Sequence, residues 1–438
     1  MPKSSRREFL RATAVTAIGA MVPAELLASQ AESKPASPNS RIQFAVIGVG
    51  GKGWSNAESC GAHGEVVAVC DIDATTRGKG LAQYPNANTF VDFREMLEAM
   101  GDKIDAVTVS TPDHVHGVAS AMAMKMGKHV YCEKPLTRTL WEARRLQQIA
   151  REKKVATQMG NQGTASADLR KVAALLKTQA FGPAREVHCW TDRAGGWWPQ
   201  GVNRPESKRT PKHVAWNLWL GPSPDRDYAD GYHPFAWRGW WDFGSGSLGD
   251  IGCHCMNLPF MGLDLRDPIS VQAQTSGHNR DSYPAWSIVT YEFGARGSRP
   301  PLTLHWYDGG KKPPQELVPG AQYGGNGTII VCEGATLYSP NEYGGGTQVV
   351  GGAPLPATTF EESPGHFAEW VRAIQGGRPA RSNIVDYSGP LTETVLLGNL
   401  AVWADGAKVQ WDAKRLKAKG TDEFDSLIHP TFRRGWSV

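Results

Sequence analysis

The chain has 438 residues, with 47 Lys and Arg against 43 Asp and Glu, and a formal net charge of +4. That length suits two or three domains with ample core, and a near-balanced charge without a long basic run gives no footprint for nucleic acid. Seven cysteines, odd in number and irregular in spacing, form no disulfide framework.

Residues 1–31 read as a processing segment rather than as fold. Ser5-Arg6-Arg7-Glu8-Phe9-Leu10-Arg11 closely matches a twin-arginine signal. Ala12 to Val22 is mildly apolar and too short to span a membrane, and Ser29-Gln30-Ala31 offers small residues for cleavage after Ala31. This predicts export to the periplasm, with the twin-arginine machinery as a partner. With no cysteine there to carry a lipid, it predicts no stable membrane anchor. Residues 32–40, with two prolines and three serines beyond Glu32, read as a flexible linker.

Ile42 to Ile47 is a strand-like run that enters Gly48-Val49-Gly50-Gly51-Lys52-Gly53, a G-x-G-x-x-G. A second strand, Val66 to Cys70, ends at Asp71. A glycine fingerprint after a strand, with an acidic residue closing the next strand, is the context that a dinucleotide site requires. Gly48, Gly50 and Gly53 allow a tight turn and bring main-chain N–H groups and a helix N-terminus to a pyrophosphate. Asp71 would accept the ribose hydroxyls and repel a 2′-phosphate, which predicts NAD over NADP. Further on, Ile104 to Ser110 is a strand running into Thr111-Pro112-Asp113-His114-Val115-His116, and Gly117 to Met126 is helix-like. Val130 to Cys132 is a short buried strand ending in Glu133-Lys134-Pro135. In an open α/β sheet, ligands sit outside the carboxyl ends of the strands, so Lys134 would point into the site. Val155 to Gln162 closes this domain, which spans residues 41–162.

Residues 163–438 form the second domain. Thr164 to Leu176 has helical spacing, and Glu186 to Thr191 reads as a strand. Trp286 to Phe293 and Leu302 to Trp306 alternate, as a half-covered antiparallel sheet does. Thr328 to Glu333 is a further strand. Asp250 and His254, four residues apart, share one face of a helix. A carboxylate beside an imidazole fixes its tautomer and raises its basicity. On spacing alone an ordinary surface pair is the simpler reading. A metal site is disfavoured because Cys253 and Cys255 diverge from His254 around the helix, and no C-x-x-C or H-E-x-x-H spacing is present. Eight of the 16 tryptophans lie between positions 190 and 241. Most suit packing; Trp197 and Trp198, beside Gly195-Gly196 and Pro199, are the loop candidates for stacking on a sugar.

The order G-x-G-x-x-G, strand-end Asp71, Ser110-Thr111-Pro112 with His116, and Gly127-Lys128-His129-Val130-Tyr131-Cys132-Glu133-Lys134-Pro135-Leu136 resembles the Gfo/Idh/MocA superfamily of sugar and polyol oxidoreductases. The segment from Trp237 to His254 is similar to that family's second-domain motif. Phe367 to Ile374, Asn383 to Glu393 and Arg434-Gly435-Trp436 resemble one of its branches. The resemblance implies an α/β protein: a Rossmann domain, then an α/β domain with a large, mostly antiparallel open sheet that serves homo-oligomerisation. It implies NAD held by Gly48, Gly50, Gly53, Asp71, Thr111, Pro112, His116, Glu133 and Lys134, and catalysis by Lys134, Asp250 and His254, with the base being either Lys134 or His254. One departure stands out: Gly163-Thr164 follows the last Rossmann strand where an arginine often stands in the family. With the Trp-rich stretch from Trp197 to Tyr232, this points to a rebuilt substrate pocket. The expected activity is hydride transfer at a carbinol carbon of a sugar or polyol. The alternatives are an NAD-dependent glycoside hydrolase and a non-catalytic sugar-binding protein. Export without a periplasmic nicotinamide pool further predicts a cofactor carried inside the folded enzyme.

Overall fold

The computed structural model describes residues 41–438; the twin-arginine stretch and the linker lie outside these residues. Six strands build the first sheet: β1 Ile42–Ile47, β2 Gly64–Cys70, β3 Asn88–Phe90, β4 Ala106–Val109, β5 His129–Cys132 and β6 Thr157–Met159. They are parallel throughout, in the order β3-β2-β1-β4-β5-β6. Strands buried on both faces read as continuous apolar runs, which is why Ile42–Ile47 and Ala106–Val109 were recognisable. The order reverses between β1 and β4. Both strands end at the glycine turn and at Ser110, so the ligand crevice opens there.

Nine strands build the second sheet: β7 Ala184–Thr191, β8 Ser270–Thr275, β9 Ser287–Phe293, β10 Leu302–Tyr307, β11 Asn326–Cys332, β12 Thr336–Ser339, β13 Gln348–Val349, β14 Val409–Asp412 and β15 Lys417–Ala418. Their order is β13-β12-β11-β7-β10-β9-β8-β14-β15. Only β7 and β10 run parallel; every other neighbouring pair is antiparallel. In β9 buried and half-buried residues alternate from Ser287 to Phe293, as expected of a sheet with one covered face. The seven cysteines are buried free thiols.

Two late helices tie the sheets together. His366–Ile374, which falls in the second domain by sequence, packs instead on the first sheet. Its Trp370 lies 5.8 Å from the Phe44 ring and 5.6 Å from Tyr131. This helix covers apolar side chains on β1 and β5 that would otherwise meet water. Gly389–Trp403 bears Glu393, which accepts two hydrogen bonds of 2.7 Å from Arg144 on the Rossmann helix Leu140–Lys153. Such a fork-to-fork pair adds geometric specificity to the join. No helix among the described residues is long and apolar enough to cross a membrane.

Candidate active site

A cavity of about 570 Å³ runs from the glycine turn to the helix Gly246–Cys255. At one end Gly48 adopts φ +79°, and a Cβ there would stand 2.6 Å from the Ser110 carbonyl oxygen. A Cβ on Gly53 would fall 2.1 Å from the Gly48 carbonyl oxygen. These two glycines make the turn and bring the helix against the strand. Gly50 differs: its Cβ would meet only Thr76, at 3.5 Å, so its missing side chain serves the open cavity. The helix Lys52–His63 starts there with no side-chain cap and no acidic residue in its first turn. Its positive end is therefore left for an anion.

Asp71 stands where the fingerprint predicts. Its Oδ2 accepts from Val49 N at 3.0 Å and its Oδ1 from Asp73 N at 2.9 Å. Each carboxylate oxygen keeps further acceptor capacity. Burial pushes this carboxyl up, and the two main-chain N–H groups oppose the shift. These features fit the pyrophosphate and ribose of a dinucleotide. Replacing Asp71 by Ala is expected to weaken NAD binding and to relax the preference over NADP, the more so because Arg77, held by the Asp71 carbonyl at 2.8 Å, stays nearby. Calorimetry with both cofactors tests this; a native preference for NADP would contradict it.

Glu133 and Lys134 follow β5 at the carboxyl edge of the sheet. Glu133 is buried, accepts from Asn56 Nδ2 at 2.9 Å and is pushed up by burial. Thr111 and Pro112 line the cavity. His116 borders it too, but its nitrogens are occupied: Nδ1 lies 2.8 Å from the Pro135 carbonyl oxygen and Nε2 2.7 Å from that of Thr111. Burial pulls its pKa down to about 4, so the neutral ring has one N–H and donates to only one of these two carbonyls. His116 thus lies between the Thr111 and Pro135 main chain at the cavity edge.

Lys134 Nζ donates to the Asp250 main-chain oxygen at 2.9 Å and to Asp250 Oδ1 at 2.8 Å. An ammonium has three N–H groups, so one remains for a ligand. Asp250 also accepts from Arg238 Nε at 3.1 Å and Arg193 Nη1 at 3.3 Å. Burial alone would raise its pKa, but Lys134, Arg238 and Arg193 outweigh it and hold the carboxyl well below the usual carboxylate range.

The expected Asp250–His254 hydrogen bond is not formed. Both side chains do face the cavity from one helix, but three cations claim the carboxylate. His254 packs edge-on against Tyr343, with centroids 5.1 Å apart, and its Nδ1 has no partner among the described residues. Burial, and then the Lys134 charge, keep this imidazole neutral by lowering its pKa well below the usual value.

Of the two stacking candidates, Trp197 is 56% exposed and carries the Arg193 guanidinium 4.2 Å from its ring. Trp198 is only 2% exposed, with Nε1 bonded to Gln200 at 3.0 Å. It borders the cavity as packing, since its polar edge needed a buried partner. Phe235 and Tyr343 join Trp197 on the cavity wall, and all three are among the few large apolar side chains left exposed. Sequence reasoning missed Arg193, Arg238, Phe235, Tyr343 and Asp113. Asp113, the first residue of the helix Asp113–Lys125, is buried, accepts from Ser245 Oγ and is pushed up to about 7 by burial. Arg238 lies inside the Trp237–Trp241 motif, so that motif was the available signal for it.

Two profiles of one family match this chain: "Oxidoreductase family, NAD-binding Rossmann fold" over residues 42–161 and "Oxidoreductase family, C-terminal alpha/beta domain" over residues 175–299. The chain belongs to the Gfo/Idh/MocA oxidoreductase family. It carries that family's NAD-binding Rossmann domain. It is 35% identical over 163 residues to a glycosyl hydrolase family 109 protein of Solibacter usitatus, covering 32% of this chain and 36% of that one. It is 35% identical over 111 residues to an inositol 2-dehydrogenase of Rubrobacter xylanophilus, covering 24% and 30%. The chain thus spans about a third of the length of these curated relatives. The WlbA dehydrogenase of Chromobacterium violaceum, solved in complex with NADH and UDP-GlcNAcA, shares the fold. It has a TM-score of 0.61 at 18% identity, covering 86% of this chain and 98% of that one.

Proposed function

We propose that this family member is an NAD-dependent oxidoreductase acting at a carbinol carbon of a sugar or polyol. The observation that carries the reading is one cavity joining the glycine turn to Lys134, Asp250 and His254. NAD, when bound, supplies a hydride acceptor. The neutral His254 ring takes the hydroxyl proton at a ring nitrogen, a role that its lowered pKa allows at neutral pH. The free N–H of Lys134 donates to the reacting oxygen and stabilises the charge that develops on it. Asp250 holds that ammonium in place, and Arg193 and Arg238 hold Asp250. Trp197, Phe235 and Tyr343 offer flat faces to the C–H faces of a sugar ring.

The likeness to a glycosyl hydrolase family 109 protein favours a second reading, glycoside cleavage through transient oxidation of the sugar. Both readings fit export by the twin-arginine signal at residues 5–11 with the cofactor already bound. Since a trapped cofactor must be restored in each cycle, the net reaction would be redox-neutral. Two measurements on the exported protein test this. Denaturation is expected to release about one nicotinamide cofactor per chain. Incubation with aryl-glycosides and with pairs of free sugars separates hydrolysis from sugar-to-sugar transfer. Substoichiometric release, or turnover that depends on added NAD, would refute the carried cofactor.

A further inference from the structure

The segment 429–438 returns from the second domain to the Rossmann domain, and Trp436 lines the cavity on the side of Asp71, Val91, Asp92 and Phe93. That side is the end of β2 and β3, where the adenosine half of a dinucleotide lies when the acidic residue holds its ribose. Lys134 and His254 mark the other end. Trp436 is held by two neighbouring side chains. The Arg94 guanidinium sits 4.2 Å from its ring, and Phe93 meets it at 5.9 Å with the planes tilted by 52°. Arg94 is itself fixed by Asp92, with Nε 3.0 Å from Oδ1, and its Nη1 reaches the Gly435 carbonyl oxygen at 3.4 Å. Trp436 as a whole is only partly buried and lines the cavity.

The segment is clamped on both sides of this residue. Arg433 donates to Asp225 Oδ1 at 2.6 Å, to the Asn217 carbonyl oxygen at 2.6 Å and to Asn217 Oδ1 at 3.0 Å, while its own N–H bonds to Pro222 O at 3.1 Å. His429 packs on Trp141 at 4.1 Å, and Val438 is buried. A surface segment with four bonds at one arginine and a half-covered tryptophan over a cavity is built to hold that ring still.

We propose that segment 429–438 is a latch on the cofactor site, with Trp436 stacking on the adenine ring. This rests on the NAD reading, and it supplies a structural reason for a cofactor that stays with the enzyme. An aromatic face against a nucleobase is sequence-tolerant and strong enough to matter in binding.

The test compares two probes on cofactor-stripped protein by calorimetry: ADP-ribose, which carries adenine, and nicotinamide mononucleotide, which does not. Trp436→Ala is expected to weaken ADP-ribose on the order of tenfold, with nicotinamide mononucleotide unchanged. Trp436→Phe is expected to recover most of the loss. Arg433→Ala, which leaves the cavity wall intact, is expected to speed NADH release, followed by fluorescence. Equal weakening of both probes, or of neither, would overturn the latch. Failure of wild-type protein to bind either probe would instead overturn the NAD reading.

Discussion

Lys134→Ala is expected to lower kcat by about 10²-fold or more while NAD still binds. The reason is positional. Lys134 Nζ already has two acceptors on Asp250, so its orientation is fixed before substrate arrives. A donor fixed in advance costs little reorganisation when charge develops on the substrate oxygen. The variant should still fold, since Arg193 and Arg238 continue to neutralise the buried Asp250 carboxylate. His254→Ala is expected to fall by a similar factor. The pH profile distinguishes the two roles. Burial, with the Lys134 charge second, holds His254 below its ordinary pKa, so the wild-type acid limb of kcat/KM should lie below the usual histidine range. Removing the Lys134 cation should move that limb upward in the slow residual activity. Rates from pH 5 to 8, with NAD affinity measured separately, decide the matter. Near-normal turnover in either variant would remove that residue from the mechanism.

The nucleotide half of this site was legible in sequence, because each of its parts is local. Gly48 to Gly53 sits within one turn, Asp71 ends the next strand, and Glu133-Lys134 ends another. An apolar run followed by a polar residue marks a strand end whatever the rest of the chain does. The substrate half was less legible, because its contacts join residues far apart in the chain. Asp250 and His254 were expected to pair from their four-residue spacing. Yet Lys134, Arg193 and Arg238, distant from one another in sequence or on different loops, bind that carboxylate instead. A helical spacing places two side chains on one face but cannot say which outside group reaches them first. The two adjacent loop tryptophans also differ in a way that their sequence does not encode: both border the cavity, but only Trp197 stayed exposed, while Trp198 is buried with its Nε1 bonded to Gln200. The helix His366–Ile374 covers a sheet that lies more than 200 positions earlier in the chain, a pairing no local pattern encodes.

The glycine turn offers the sharpest separation of fold from binding. Gly53→Ala is expected to abolish NAD binding and to destabilise the domain by several kcal/mol. Its Cβ would lie 2.1 Å from the Gly48 carbonyl oxygen and 3.1 Å from the Ser110 Cβ. The nearest of these is backbone, so neither a rotamer change nor a small shift relieves the overlap. Gly48→Ala should behave alike, because φ +79° disfavours any side chain and the Ser110 carbonyl oxygen stands 2.6 Å away. Gly50→Ala should differ. Its only neighbour among the described residues is the Thr76 methyl at 3.5 Å, an ordinary contact, so thermal stability should change by about 1 kcal/mol or less. NAD affinity should nevertheless fall about tenfold or more, because the new methyl would occupy the space where a pyrophosphate approaches the main chain. Thermal unfolding without cofactor, paired with NAD titration, reads the two effects apart. Undiminished NAD binding by the Gly50 variant would mean that the dinucleotide does not approach this turn.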